Sequence, residues 1–214
     1  MDIKIKEYKG VEIVHLDNVF NTEEMNEFWS LFDLAKLYRR VDSRTATNAD
    51  GSLKRKGSGL FLEELRVMGN NPYFVDDILR NKYLQIASAI HKQITPLSFL
   101  NSMFRTHSEP TNTLLQFYEE DNDAYDEHDD ESLYSICLFI HKEPKNFTGG
   151  QFYIKDLDVS VEKLNNTGIL FPSYLIHNVK PIKIIDKNVK NCGRYSLSSF
   201  ISEHEHWKQI YDKT

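Results

Sequence analysis

Downstream of Pro96 the chain breaks into short apolar runs separated by turn residues: Phe99 to Phe104, Thr113 to Tyr118, Tyr134 to Ile140, Gln151 to Ile154, Gly168 to Phe171, Asn178 to Ile185 and Tyr195 to Ile201. Runs of this length, rich in Phe, Tyr, Ile, Leu and Val and spaced this evenly, specify strands of a sandwich or barrel. The upstream half is different. Val11 to Phe20 starts as a strand-like run and ends at Asn21-Thr22-Glu23-Glu24, where Asn21 suits a helix N-cap and Glu24 the returning half of a capping box. Met25, Phe28, Trp29 and Phe32 then recur at helical spacing as a core-facing stripe, and a second helix is expected from about Asn71 to Ile94. Leading helices followed by a β-rich half imply an α+β, mainly β fold. The expectation is a double-sheet jelly roll with the N-terminal helices packed on its outside.

A chain of 214 residues, 40% hydrophobic, can bury a sizeable core without staples, so one domain is expected and a metal would serve chemistry, not stability. Its parts would be a strand and supporting helices over 1–96, the jelly-roll core over 97–202 and a tail over 203–214. Cys137 and Cys192 stand singly, with no CxxC spacing, and Cys137 reads as a reduced core thiol in a buried strand. The N-terminus alternates charges instead of presenting a secretory signal. No apolar run approaches the roughly 20 residues of a membrane span, so the protein is expected to be cytoplasmic. A net charge of -6 weighs against a dedicated nucleic-acid surface.

Two polar stretches stand out. Arg40 to Gly59, with Lys54-Arg55-Lys56, reads as a flexible loop and a candidate lid. Glu119 to Glu131 carries Glu119, Glu120, Asp121, Asp123, Asp126, Glu127, Asp129, Asp130 and Glu131, the pattern of a solvated acidic loop whose rim favours a basic partner. It is not a calcium loop, because the sixth and twelfth positions from Asp121 are Asp126 and Ser132 instead of glycine and glutamate.

Within that acidic stretch lies His128-Asp129-Asp130. On extended backbone His128 and Asp130 project to one side while Asp129 points away. His177, after an apolar strand and a turn, can complete a face of two histidines and one carboxylate. That set leaves open positions on a metal, as in non-haem Fe(II) oxygenases, whereas structural zinc is closed by four protein ligands.

The order of the surrounding residues resembles the 2-oxoglutarate and Fe(II)-dependent oxygenase superfamily, and within it the prolyl 4-hydroxylase-like branch. Tyr118 and Tyr125 precede the HxD block; Phe147-Thr148-Gly149-Gly150-Gln151-Phe152 is similar to the family's GG turn; Gly168 to Ser173 leads to His177; and Arg194-Tyr195-Ser196 resembles its RxS strand. The likeness runs in order from Thr113 to Ile201. It implies a double-stranded β-helix, the cupin-like jelly roll. It also implies iron on His128, Asp130 and His177, and 2-oxoglutarate held by Arg194 with Ser196 and Tyr118, while Tyr125 lines the substrate entrance. An arginine suits the cosubstrate's distal carboxylate because its planar fork binds carboxylates bidentately. O2 would be the second cosubstrate and ascorbate a supporting reductant. The reaction implied is hydroxylation of an unactivated C–H bond, giving succinate and CO2.

The chain departs from the branch in two places. The interval from Lys183 to Gly193 is longer and is expected to form a hairpin turning near Asp186 to Asn188. At Leu138 and Phe139 there is no hydroxyl where related hydroxylases often place a tyrosine on the cosubstrate. His204 and His206 have ligand spacing but no third partner and read as surface tail; His15, His91, His107 and His141 stand singly. The branch implies a prolyl residue in a protein or peptide as substrate, the alternatives being a free amino acid or other small metabolite, or an alkylated base. A non-catalytic jelly-roll binding module is the reading outside enzymology. Retention of all three ligands and the arginine weighs against it. Oligomeric state is not readable.

Overall fold

A computed structural model describes residues 1–39, 47–67, 73–93 and 110–202. The chain begins as an antiparallel hairpin, β1 (Asp2–Tyr8) and β2 (Val11–Asp17). Helix α1 (Thr22–Ala35) follows, and its start is set by the expected capping box: the Asn21 side chain accepts from the Glu24 N–H at 2.9 Å, and the Glu24 carboxylate accepts from the Asn21 N–H at 2.8 Å. Such a cap contributes about 1 kcal/mol. The remaining elements are β3 (Arg55–Lys56), β4 (Ser58–Phe61), α2 (Leu62–Val67), α3 (Tyr73–Gln93), β5 (Pro110–Tyr118), β6 (Ala124–His128), β7 (Tyr134–His141), β8 (Phe147–Gly149), β9 (Phe152–Ile154), β10 (Val159–Val161), β11 (Thr167–Pro172), β12 (His177–Val179), β13 (Ile182–Ile184) and β14 (Arg194–Ile201). Among the described residues no helix is long and apolar enough to cross a membrane.

The strands form a seven-stranded sheet in the order β1-β2-β11-β7-β14-β5-β4, a five-stranded sheet in the order β10-β9-β12-β6-β3, and the pair β13-β8. Helices cover the outer face of the large sheet, and the small sheet faces its inner side, so the expected mainly β jelly roll with outer helices is what the chain adopts. Central strand β7 shows why its sequence is almost continuously apolar. All eight of its residues are buried, with Ile136, Leu138 and Ile140 in one cluster with Phe28 and Phe32 of α1, and Cys137 and Phe139 in another with Phe152 and Ile154 of the small sheet. Neighbouring β14 alternates in the same way. Tyr195, Leu197 and Ile201 join the helix side, while Arg194, Ser196 and Ser198 face a cavity between the sheets. Period-two alternation therefore delivers a row of polar side chains to the interior.

Three expectations need correction. The polar stretch from Arg40 to Gly59 is not loop throughout: Arg55–Lys56 pairs with β6, and Ser58–Phe61 pairs with β5. Its charged cluster splits accordingly, with Arg55 buried, Lys54 lining the cavity and Lys56 exposed. Residues 40–46 lie outside the described ones. The acidic stretch Glu119 to Glu131 contains β6, because β12 and β3 on either side supply backbone partners that composition does not reveal. Asn178 to Ile185 is two strands, β12 in the small sheet and β13 paired to β8. The turn expected near Asp186 is present, with the Val189 N–H donating to the Asp186 carbonyl at 3.3 Å and the Asn188 N–H to its carboxylate at 2.9 Å. The expected strand Phe99 to Phe104, the tail from 203, and His107, His204 and His206 lie outside the described residues, as does the side chain of His91.

Helix α1 is tied to the sheet by one carboxylate. Glu119, just past β5, pairs with Lys36 at 2.7 Å and with Arg39, and accepts from the Tyr195 hydroxyl at 2.7 Å. Burial alone would raise its pKa, but the hydrogen bonds from Lys36, Tyr195 and Arg39 hold it below the usual glutamate value. A depressed folded pKa stabilises above the unfolded value, and that contribution is lost as pH falls through the folded one. Glu119→Gln is therefore expected to lower the unfolding free energy by about 1–2 kcal/mol at neutral pH in a denaturant titration. The gap from wild type should close as the pH drops into the acid range; a gap independent of pH would contradict the network.

Candidate active site

The three expected metal ligands converge. His128 ends β6 and His177 begins β12, and the two are direct cross-strand partners, so the register itself sets them side by side. Asp130 follows two residues after His128, fixed by its backbone N–H donating to the Ser173 carbonyl at 3.0 Å. Its Oδ1 lies 3.8 Å from His128 Nε2 and its Oδ2 3.6 Å from His177 Nε2, and the set could hold a metal ion, one ligand atom from each residue lying within 4.8 Å of the others.

Both histidines are oriented through their other nitrogen. His128 Nδ1 is 2.8 Å from the Asp126 carbonyl, and His177 Nδ1 is 2.9 Å from the Leu175 carbonyl. Because a carbonyl only accepts, each Nδ1 carries the proton and each Nε2 lone pair faces the shared centre. Burial, with the neighbouring His177, pushes the His128 pKa down to about 3, so the ring is neutral. Burial pushes the Asp130 pKa up. A cation among these groups would reverse that preference by favouring the carboxylate. The Ser135 hydroxyl donates to Asp130 Oδ2, and Ser135 in turn contacts the Ser173 hydroxyl at 2.9 Å, which contacts Ser132 at 2.6 Å.

The ligands open into a cavity of about 730 Å³ between the sheets, which Arg194 and Ser196 also line. Arg194 has no solvent exposure, and its Nε and Nη2 make no hydrogen bond. Its guanidinium carbon sits 4.9 Å from the Tyr118 ring and 5.0 Å from the Phe139 ring. A buried cation with idle donors is costly unless an anion meets it, so the residues present fit a carboxylate-bearing cosubstrate beside a metal. Ser196 lies 3.4 Å from Arg194 Nη1 and donates to Gln116 Oε1 at 2.8 Å. Tyr118 is fully buried against Arg194, its hydroxyl makes no hydrogen bond, and it sits outside the cavity lining. Tyr125 lines the cavity and stacks on His128, with ring centroids 3.7 Å apart at 16°. The glycine pair bears on the same arginine: Gly150 has φ +75°, and a Cβ there would come within 2.9 Å of Arg194 Cδ.

The long interval before Arg194 leaves its placement intact. Cys137, as expected, is a buried free thiol; burial pushes its pKa up to about 12, and its sulfur is 3.4 Å from the Ser198 hydroxyl. Of the other single histidines, His15 bonds Tyr8 at 3.1 Å and His141 packs edge-on to Phe147. Sequence reasoning missed Gln116, which accepts from both Ser196 and Ser198, and the Ser132, Ser135 and Ser173 group. A lone Gln inside the apolar run Leu114 to Tyr118 was the available signal for the first. The serines carried none, because only folding brings 132, 135 and 173 together.

No protein-family model matches the chain, and no curated protein matches it in sequence. Solved structures do match in fold. The chain is similar to OsALKBH1, with a TM-score of 0.58 and 13% identity over 93% of this chain and 99% of that one. It is similar to the viral collagen prolyl hydroxylase vCPH of Paramecium Bursaria Chlorella virus-1, solved with 2-oxoglutarate, with a TM-score of 0.55 and 12% identity over 89% and 96%. It is also similar to a Pseudomonas putida prolyl-4-hydroxylase, with a TM-score of 0.53 and 13% identity over 90% and 92%. The chain therefore has the double-stranded β-helix fold of the 2-oxoglutarate and Fe(II)-dependent oxygenases. OsALKBH1 and the two prolyl hydroxylases match about equally well, so the fold does not select a branch.

Proposed function

We propose that this protein is an Fe(II) and 2-oxoglutarate-dependent oxygenase, the whole chain forming one such domain, that hydroxylates a prolyl residue in a protein or peptide. The observation that carries the first part is the joint presence, in one cavity, of a two-histidine, one-carboxylate set and a fully buried arginine with idle donors. The prolyl substrate is supported by the order of the Tyr118, Tyr125, His128-x-Asp130, GG and Arg194-x-Ser196 blocks and by the fold shared with two prolyl hydroxylases.

Iron, held by His128, Asp130 and His177, and 2-oxoglutarate, held by Arg194, would together supply the oxidising power for hydroxylating a substrate C–H bond with O2, the cosubstrate leaving as succinate and CO2. The chain holds and aims. His128 and His177 turn their Nε2 atoms to the shared centre, and Asp130 offers a carboxylate kept in place by Ser135. Arg194, wedged between Tyr118 and Phe139, takes the cosubstrate's distal carboxylate, and Gln116 fixes the Ser196 hydroxyl beside it. The ligand histidines, Arg194 and Ser196 are all buried, and a low local dielectric strengthens charge interactions made there.

The test is an anaerobic titration of metal-free protein with Fe(II) and then 2-oxoglutarate. A visible charge-transfer band is expected in wild type and absent in His128→Ala. Absence of the band in folded wild-type protein would defeat the assignment.

A further inference from the structure

The metal and cosubstrate roles use only the inner half of the cavity. On β14 the inward row continues past Ser198 to Phe200 and then to Ser202 beyond the strand, and on β5 it continues past Gln116 to Leu114 and Asn112. Ser202 is 5% exposed, lines the cavity, and its hydroxyl makes no hydrogen bond. A buried hydroxyl without a partner is costly, which argues for a ligand group opposite it. The Leu133 N–H donates to the Ile201 carbonyl at 2.8 Å, so the segment ending Glu131-Ser132 runs alongside Ser202.

Asp129 and Glu131 are on that segment, exposed and lining the same cavity. Neither carboxylate has an ion-pair or hydrogen-bond partner among the described residues. Much of the rest of the acidic stretch is engaged elsewhere: Glu119 with Lys36 and Arg39, Asp121 with Lys187, Asp123 with the Glu119 and Glu120 N–H groups, and Glu127 with Lys155. Lys54 also lines the cavity, but its ammonium donates to the Glu127 carbonyl at 2.9 Å. Deeper in, the positive charges of iron and Arg194 are matched by Asp130 and the two carboxylates of 2-oxoglutarate. Among the described residues at the mouth, Asp129 and Glu131 outweigh the single positive charge of Lys54 and leave net negative charge there.

We propose that the substrate presents an ammonium or guanidinium group to Asp129 and Glu131 while a polar group next to it hydrogen-bonds Ser202. This rests on the oxygenase assignment and specifies its substrate: a lysine or arginine close to the oxidised position in a peptide, or the same cation on a free amino acid. A polyanion would meet like charge at this entrance.

Binding, not turnover, is the readout. Labelled peptides with a central proline flanked by lysine, glutamine or glutamate are titrated against the Fe(II)/2-oxoglutarate protein under anaerobic conditions, with fluorescence anisotropy as signal. The lysine peptide should bind about tenfold more tightly than the glutamine peptide, a difference of about 1.4 kcal/mol, and the advantage should shrink as salt is raised. The double variant Asp129→Asn, Glu131→Gln should erase the preference, whereas Ser202→Ala should weaken all peptides about equally. Competition by free L-lysine or L-arginine at concentrations matching the peptide assigns the cation to a free amino acid, and its absence assigns it to a peptide; both outcomes support the site. Equal binding of all three peptides, a preference surviving in the double variant, or tighter binding of a single-stranded oligonucleotide would overturn it. The charge-transfer band, recorded on the same samples, separates the two failures: no band in wild type defeats the oxygenase assignment, and a band without cation preference defeats this inference alone.

Discussion

Asp130→Ala is expected to reduce turnover to background and metal affinity by well over a hundredfold, measured by iron retained after gel filtration and by succinate release. Loss of an outer hydrogen-bond partner of a metal ligand typically costs about 10–100-fold, so Ser135→Ala, which removes the hydroxyl aimed at Asp130, sets the lower bound. The sign of the stability effect is the sharper part. Burial disfavours the Asp130 carboxylate in the metal-free protein, so the alanine variant should unfold no earlier than the wild type when metal is absent. What it should lose is stabilisation on adding Fe(II), worth about 2.7 kcal/mol at a hundredfold excess over Kd. A variant that melts early without metal would mean that Asp130 is a structural residue, and one that keeps full turnover would remove it from the site.

Arg194→Met should leave iron binding intact and weaken 2-oxoglutarate by about 30- to 5000-fold, the 2–5 kcal/mol cost of truncating a buried charge pair. Titration of the charge-transfer band reads this directly. The same substitution should leave the metal-free fold as stable or more so, because a guanidinium with idle donors is exchanged for an apolar chain between two aromatic rings. Arg194→Lys keeps the charge but not the fork, and its affinity should fall between the two. Unchanged 2-oxoglutarate affinity in the methionine variant would leave the buried guanidinium without the role proposed for it.

How much of this was legible in the sequence differs by element. The start and the core-facing stripe of α1 could be read, since its cap and its apolar positions at Phe28 and Phe32 are both local signals. β7 could be read because burial on two faces leaves a continuous apolar run. The strand β1 was missed although Asp2-Ile3-Lys4-Ile5 alternates with period two: its charges belong to the exposed face of a strand that, among the described residues, pairs with β2 alone. β3 and β6 were missed for a stronger reason. Their sequences are polar, and they are strands through partners far along the chain, Arg55 opposite Tyr125 and His128 opposite His177. In the site, residues with fixed local spacing, such as His128 and Asp130 or Arg194 and Ser196, stood out, while those that act across strands, such as Gln116 on Ser196 and Ser173 on Ser135, did not. Tyr118, also expected at the cosubstrate, packs its ring against the Arg194 guanidinium, a contact set by the pairing of β5 with β14.

The short run from Arg55 to Phe61 joins the small sheet, where Arg55–Lys56 pairs with β6, to the large one, where Ser58–Phe61 pairs with β5, with Gly57, φ +145°, at the crossing. Everything between α1 and that run is anchored at both ends, yet it contributes Thr47 and Lys54 to the cavity wall. Each doubling in length of such a closed segment costs only about 0.6 kcal/mol. Substrate choice in proteins of this shape can therefore drift by insertion and deletion ahead of the clasp, while the ligands, the arginine and the strand register stay untouched.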